Sequence, residues 1–114
     1  MPNPVVHFEI NAKNGVKTQQ FYKRLFQWNI DANNTMNYGM VAKGGKGGIA
    51  GGINELPSGK PFVTFYARVK SINAVLKKAK KLGAKVVMPR TVIPNMVTFA
   101  MFKDPEGNVI GIIE

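Results

Sequence analysis

Acid–base chemistry near neutral pH would most naturally use His7, because it is the chain's only histidine. His7 lies in the segment Val5 to Ile10, where apolar and polar residues alternate, and this alternation predicts a β-strand. Glu9 then shares one strand face with His7, so its carboxylate could hydrogen-bond to the imidazole or tune its pKa. His7 and Glu9 are therefore the candidate catalytic residues. The alternatives for His7 are contact with a ligand without proton transfer, and a purely structural place in the core.

A second set of polar side chains is expected to face these two residues. In the segment Phe62 to Val69, the same alternation places Thr64, Tyr66 and Arg68 on one face. The two hydroxyls could hydrogen-bond to a ligand, whereas Arg68 could bind a carboxylate or stay at the surface near the strand end. Phe99 and Met101 would add an adaptable apolar wall, or simply belong to the core. The predicted ligand-binding residues are His7, Glu9, Thr64, Tyr66, Phe99 and Met101.

The elements that must position these residues recur along the chain. In the first half a strand is followed by a helix over Val16–Phe26 and by strands at Trp28–Ile30, Tyr38–Val41 and Gly48–Ile53. After the loop Pro57–Pro61 the order repeats, with a helix that Ser71 caps and Gly83 ends, and strands at Lys85–Met88, Met96–Phe102 and Val109–Ile113. The pattern predicts an α+β protein of one domain, 1–114, built from two βαβββ modules at about residues 1–56 and 61–114.

Composition narrows the possible functions. The chain has no Cys, which excludes disulfides, thiolate metal sites and cysteine nucleophiles. No apolar run approaches the roughly 20 residues that a membrane span needs, so we expect a cytoplasmic protein without membrane contact. The net charge is +10, from 16 Lys and Arg against 6 Asp and Glu. Because the lysines are spread along the chain, this charge favours a solvated surface that attracts anionic small molecules over specific nucleic-acid binding.

Several phrases of the sequence resemble, in their order and spacing, the vicinal-oxygen-chelate superfamily of glyoxalase I, bleomycin-resistance proteins and extradiol dioxygenases. These phrases are His7-Phe8-Glu9-Ile10, Leu25-Phe26-Gln27-Trp28, Gly51-Gly52-Ile53 and the closing hairpin from Phe102 to Ile113. The chain is similar in particular to small single-domain proteins related to lactoylglutathione lyase. The resemblance implies a curved mixed sheet around a cup, and a homodimer.

The resemblance also implies where a metal would bind. Metal-dependent members take one ligand from each of four strands, usually His from the first and fifth and Glu from the fourth and eighth. Here only His7 matches, since the fifth-strand position falls on Thr64, the eighth falls on Gly111, and the predicted fourth strand, Gly48–Asn54, has no His, Asp or Glu. Glu55 would reach inward only if that strand extended further. We therefore expect no catalytic metal and no other cofactor.

These observations favour a small-molecule-binding protein of this superfamily that works without a catalytic metal. The alternative is a lyase or isomerase related to lactoylglutathione lyase that uses His7 and Glu9 for proton transfer.

Overall fold

The computed structural model describes residues 2–114, which form eight strands and two helices. In chain order these are β1 (Val5–Ala12), α1 (Gly15–Phe26), β2 (Ile30–Asp31), β3 (Gly39–Val41), β4 (Ala50–Glu55), β5 (Phe62–Arg68), α2 (Ile72–Lys81), β6 (Lys85–Ile93), β7 (Val97–Lys103) and β8 (Val109–Ile113). The order strand, helix and three strands occurs twice, which confirms the predicted α+β class and its two βαβββ modules. Within residues 2–114, neither helix is long and apolar enough to cross a membrane.

Residues 7–63 form one compact unit, called here the N-terminal unit. Its strands lie in the order β2-β3-β4-β1, with β1 from His7 onward parallel to β4 and the other pairs antiparallel. Helix α1 packs against β4. Val41 and Ile53 are almost fully buried, so the centre of this unit's core lies on β3 and β4.

The start of α1 is attached to the end of β4. The Asn14 side chain caps the helix by accepting from Lys17 N at 3.0 Å. Glu55 Oε2 accepts from Gly15 N at 2.9 Å, and a Cβ at Gly15 would lie 3.0 Å from Glu55 Cβ, so the helix needs glycine to approach this closely. Strand β4 thus extends past Asn54, but the Glu55 carboxylate binds a helix N-terminus, where negative charge is favourable.

Helix α1 differs from the usual arrangement in which apolar side chains face the sheet. Its inner side carries Gln19, whose amide donates to Ile53 O at 3.4 Å and to Asn37 O at 3.3 Å. Phe21 and Leu25, by contrast, are 57% and 53% exposed. A polar residue thus takes a sheet-facing position and links the helix to the backbone of β4 and of the loop before β3.

Residues 2–6 and 64–114 form the second compact unit, called here the C-terminal unit. Its strand order is β5-β8-β7-β6, with β5 and β8 parallel and the other pairs antiparallel. Helix α2 starts at the cap residue Ser71, which accepts from Ala74 N at 3.2 Å. A core cluster forms between α2 and the strands, and its buried members are Val69, Ile72, Leu76, Ala100 and Ile112.

In the C-terminal unit the predicted end of α2 is confirmed, whereas the predicted end of β6 is wrong. Leu82 is the C-cap of α2 and is 70% exposed, and Gly83 follows it with a positive φ of 103°, so the helix ends at Gly83 as the sequence predicts. Strand β6 runs through Pro89 to Ile93, although Pro89 was expected to end it at Met88. Proline fits there because β6 pairs only with β7 among the strands of this unit, and its register shifts between Met88 and Thr91.

The carboxylate at the end of β4 should stabilise α1. We expect Glu55→Ala to lower the free energy of unfolding by about 1 kcal/mol, since it removes an acceptor from the first turn of the helix. Urea unfolding followed by circular dichroism measures this change. Glu106→Ala is the matched control, because it removes the same charge from an exposed turn residue. Equal effects of the two substitutions would show that net charge, and not the contact with Gly15, sets the stability.

Candidate functional site

In the N-terminal unit, Tyr38 joins the two predicted catalytic residues. Its hydroxyl donates to Glu9 Oε2 at 2.8 Å, and His7 Nε2 lies 3.0 Å from the same hydroxyl oxygen. Because the Tyr38 proton is directed to Glu9, the Tyr38 oxygen accepts from His7 Nε2–H. Glu9 is 8% exposed and His7 is half-buried. The three side chains therefore form a hydrogen-bonded chain that runs from the half-buried imidazole to a buried carboxylate.

Glycine makes room for the tyrosine of this chain. Gly52 on β4 is the register partner of Glu9 on β1 and of Met40 on β3. A Cβ at Gly52 would lie 1.8 Å from Tyr38 Oη, a distance that no side chain could tolerate. Glycine at this position thus brings the Tyr38 hydroxyl within hydrogen-bond distance of Glu9.

The neighbouring glycine serves the opposite sheet face. A Cβ at Gly51 would lie 2.2 Å from the Phe8 ring, and this ring packs at 5.3 Å from the Trp28 ring on the side of α1. Consecutive glycines in β4 therefore let an aromatic ring pack closely on each face of the sheet.

The Asn34 side chain fixes the backbone of Tyr38. Its Oδ1 accepts from Tyr38 N at 3.0 Å and from Met36 N at 3.1 Å, while its Nδ2 donates to Tyr38 O at 2.8 Å. Asn37, between these residues, has a positive φ of 52°, a conformation that asparagine adopts more readily than most residues. The loop before β3 thus positions the phenol with hydrogen bonds from the Asn34 side chain.

Burial controls the charge of His7. Desolvation lowers the pKa of His7 below its ordinary value, and the Glu9 carboxylate offsets part of this effect by raising it. The imidazole is thus neutral at pH 7, and it can exchange a proton or a hydrogen bond with a ligand. Its ring is nearly parallel to the Tyr38 ring, with 17° between the planes.

Sequence reasoning placed His7 and Glu9 on one face but expected Tyr38 only as the first residue of a strand. The prediction missed it because Tyr38 reaches the pair from a loop 31 positions away along the chain. The sequence feature that indicates such a contact is the Gly51-Gly52 pair within a strand, since glycine inside a strand often marks the close approach of another group.

The remaining predicted ligand-binding residues lie in the C-terminal unit. Thr64 is 5% exposed and donates through Oγ1 to Val109 O at 2.7 Å, so its hydroxyl links β5 to β8. Tyr66 Oη makes a long contact of 3.9 Å with Met101 Sδ, and its ring packs edge-on against Phe99 at 6.4 Å. Tyr66, Phe99 and Met101 thus form a cluster, while Arg68 is exposed.

The Tyr66 ring also covers the position at which the resemblance placed a metal-binding Glu. Gly111 is the register partner of both Tyr66 and Met101, and a Cβ at Gly111 would lie 2.3 Å from the Tyr66 ring. Among residues 2–114, no three His, Asp or Glu side chains are close enough together to hold a metal ion. The His, Asp and Glu side chains of residues 2–114 therefore do not fit the four-ligand centre that the resemblance implies for metal-dependent members.

The fold and the sequence define the class to which the protein belongs. The family model described as the glyoxalase/bleomycin resistance protein/dioxygenase superfamily matches residues 5–112. The chain belongs to this superfamily, which confirms the prediction made from its motifs. No curated protein matches the sequence significantly.

Solved structures share the fold over nearly the whole chain. A hypothetical protein from Bacillus halodurans C-125 has a TM-score of 0.73 and 13% identity, covering 100% of this chain and 95% of its own. A superfamily member from Vibrio splendidus 12B01 has a TM-score of 0.64 and 14% identity, covering 98% of both chains. A Streptomyces coelicolor methylmalonyl-CoA epimerase variant, solved with 2-nitronate-propionyl-CoA, has a TM-score of 0.65 and 12% identity. The match covers 99% of this chain and 97% of the epimerase chain.

Filling the space at Gly52 should displace Tyr38. We expect Gly52→Ala to lower the free energy of unfolding by about 1–3 kcal/mol, because the added methyl group overlaps the phenol. Urea unfolding gives the change, and Gly48→Ala, where a Cβ would have no contact closer than 3.5 Å, is the control. In a Tyr38→Ala background the cost of Gly52→Ala should nearly vanish, and an undiminished cost would show that the phenol is not what occupies this space.

The pH response of His7 should follow its burial. Its single imidazole resonance, followed by NMR, should titrate below 6.5, and Glu9→Gln should lower the pKa further by removing the nearby negative charge. The unfolded chain then binds a proton that the folded chain does not, so stability should fall as the pH drops through 6.5 and level off below the folded-state pKa. Glu55→Gln, in the same unit, should leave the resonance unchanged. A pKa that rises in Glu9→Gln would contradict this electrostatic account.

Proposed function

We propose that this protein binds a small organic molecule at His7, Tyr38 and Glu9, and that it does so without a catalytic metal. The observation that carries the proposal is the hydrogen-bonded chain between these three side chains. Tyr38 satisfies the buried Glu9 carboxylate and at the same time orients the imidazole through Nε2. Such a chain holds a polar group of the protein in one orientation, which is what selective ligand binding requires.

The metal-free part of the proposal rests on what the candidate ligand positions do instead. Thr64 bonds to the backbone of β8, Glu55 bonds to the start of α1, and the Tyr66 ring covers Gly111. A carboxylate at Gly111 would first have to displace that ring. Each position thus has a structural contact that competes with coordination.

Charge and likeness suggest which ligands to test first. The net charge of +10 attracts anions, because the field of the whole protein raises their local concentration. The Streptomyces coelicolor epimerase variant, which shares the fold, was solved with a CoA ester. We therefore infer that organic anions are the ligand class, and that CoA thioesters are a suitable first panel alongside small carboxylic acids and phosphate esters.

Binding can be tested by thermal shift on this panel, followed by calorimetry on the compounds that stabilise the protein. We expect at least one organic anion to raise the melting temperature by several degrees, since a ligand at 100 times its dissociation constant adds about 2.7 kcal/mol. Tyr38→Phe should weaken binding by about fivefold or more, because it removes the hydroxyl that bonds to both His7 and Glu9. Treatment with EDTA should change neither the melting temperature nor the affinity for the ligand.

Tyr22→Phe is the matched control, since it removes the same hydroxyl from α1, and it should bind like the original protein. Equal affinity of the Tyr38→Phe and Tyr22→Phe variants would contradict the proposed site. Stoichiometric divalent metal in protein purified without chelators would contradict the metal-free proposal. A panel without any stabilising compound would contradict the ligand class.

The same chain of side chains favours a second candidate, an acid–base enzyme of the lyase or isomerase type. A neutral imidazole at His7 can accept a proton, and Tyr38 with Glu9 behind it would stabilise the imidazolium that forms. Incubation of a stabilising compound in deuterated solvent distinguishes the candidates. Deuterium that enters the compound with the original protein but not with His7→Gln would favour the enzyme, and no exchange would favour binding alone.

A homodimer, which the resemblance implies, and a cytoplasmic location stay predictions.

A further inference from the structure

The outer side of α1 is an apolar surface that nothing in the N-terminal unit covers. Its two large apolar side chains, Phe21 and Leu25, are 57% and 53% exposed. Phe21 and Leu25 are one helical turn apart, so they lie side by side along the helix. Two bulky exposed side chains at this spacing are typical of a binding surface.

The same surface is positively charged. Helix α1 contains Lys17, Lys23 and Arg24 and not a single acidic residue. Lys17 and Arg24, together with Gln20, Phe21 and Leu25, line a shallow groove of about 540 Å³. All five residues belong to α1, so the groove runs along the helix and is open on its outer side. An open groove between side chains at helical spacing accommodates another helix better than it encloses a small molecule.

Aromatic packing holds this surface in place. The Phe21 ring packs edge-on against Tyr22 at 4.9 Å, and Tyr22 stacks on Trp28 at 5.3 Å. Phe26 also lies 5.2 Å from Trp28, so the aromatic rings support the apolar side chains from below. A surface that is ordered before binding loses little conformational entropy when a partner arrives.

We propose that the outer face of α1 docks an acidic amphipathic helix of another protein, with apolar side chains over Phe21 and Leu25 and carboxylates beside Lys17 and Arg24. Charge selects this partner over a second copy of the chain. Two copies of α1 packed face to face would bring four cations together without an acid between them, because each contributes Lys17 and Arg24. A helix rich in Glu and Asp would instead pair with these cations while it covers the apolar groove.

Selection from a library of helical peptides, displayed on phage, tests this surface against many candidate partner sequences at once. The immobilised full chain is the target, and its Phe21→Ser/Leu25→Ser variant is the counter-target that removes unrelated binders. We expect enriched peptides to carry apolar residues at i, i+3, i+4 and i+7 and a net negative charge. Enriched peptides that are neutral or basic, or no enrichment over the counter-target, would overturn the proposal.

Affinities of one enriched peptide then test the charges. Lys17→Glu/Arg24→Glu should weaken binding by at least about tenfold. Lys77→Glu/Lys81→Glu on α2 makes the same change of net charge elsewhere and should stay within about twofold. Circular dichroism confirms that each variant folds, and the charge variants keep the test valid if the serine variant does not. If both charge variants lose the same affinity for the peptide, net charge alone explains the effect, and the proposed docking site is overturned. A chain that sediments as a dimer, and as a monomer after Leu25→Glu, would assign the surface to a second copy.

Discussion

A tyrosine ring that lies on a strand glycine is the contact on which both units depend. Tyr38 lies on Gly52 of β4, and Tyr66 lies on Gly111 of β8, at distances that exclude any side chain on the glycine. In the N-terminal unit this contact delivers the hydroxyl that joins His7 to Glu9. In the C-terminal unit it fills the space of a carboxylate on β8. One steric constraint therefore brings the hydroxyl into the hydrogen-bonded chain of one unit and fills the space beside Gly111 in the other.

The last strands of the two modules share a further device. Each contains a glycine that is followed three positions later by a glutamate, Gly52 by Glu55 at the end of β4 and Gly111 by Glu114 directly after β8. Glu55 accepts from Gly15 N at 2.9 Å, and Glu114 accepts from Ile72 N at 3.0 Å, so each carboxylate binds the first residue of its own module's helix. The interaction of a carboxylate with a helix N-terminus is favourable on electrostatic grounds. This repeat gives the glutamate at the end of each module's last strand the same structural contact, with the first turn of a helix.

The sequence was sufficient to predict most strands and helices, but not the side-chain contacts between them. Alternation placed His7 and Glu9 on one face, and Ser71 marked the start of α2, because strand and helix periods are local properties. The place of Tyr38 depends on side-chain hydrogen bonds of Asn34 and on space at Gly52, which no periodicity records. The orientation of α1 depends likewise on Gln19, whose amide satisfies backbone oxygens of distant residues.

The chain retains a buried carboxylate at Glu9 although an amide would be easier to bury. A charged group removed from water is costly unless hydrogen bonds replace its solvation, and here Tyr38 supplies one at 2.8 Å. Burial keeps the neighbouring imidazole neutral, so Glu9 and His7 do not form an ion pair. What the carboxylate gains through Tyr38 is the power to stabilise positive charge on His7 whenever a ligand or a proton brings it there. The Glu9 carboxylate thus contributes to the electrostatics of His7 through Tyr38, in addition to its place in the packing of β1.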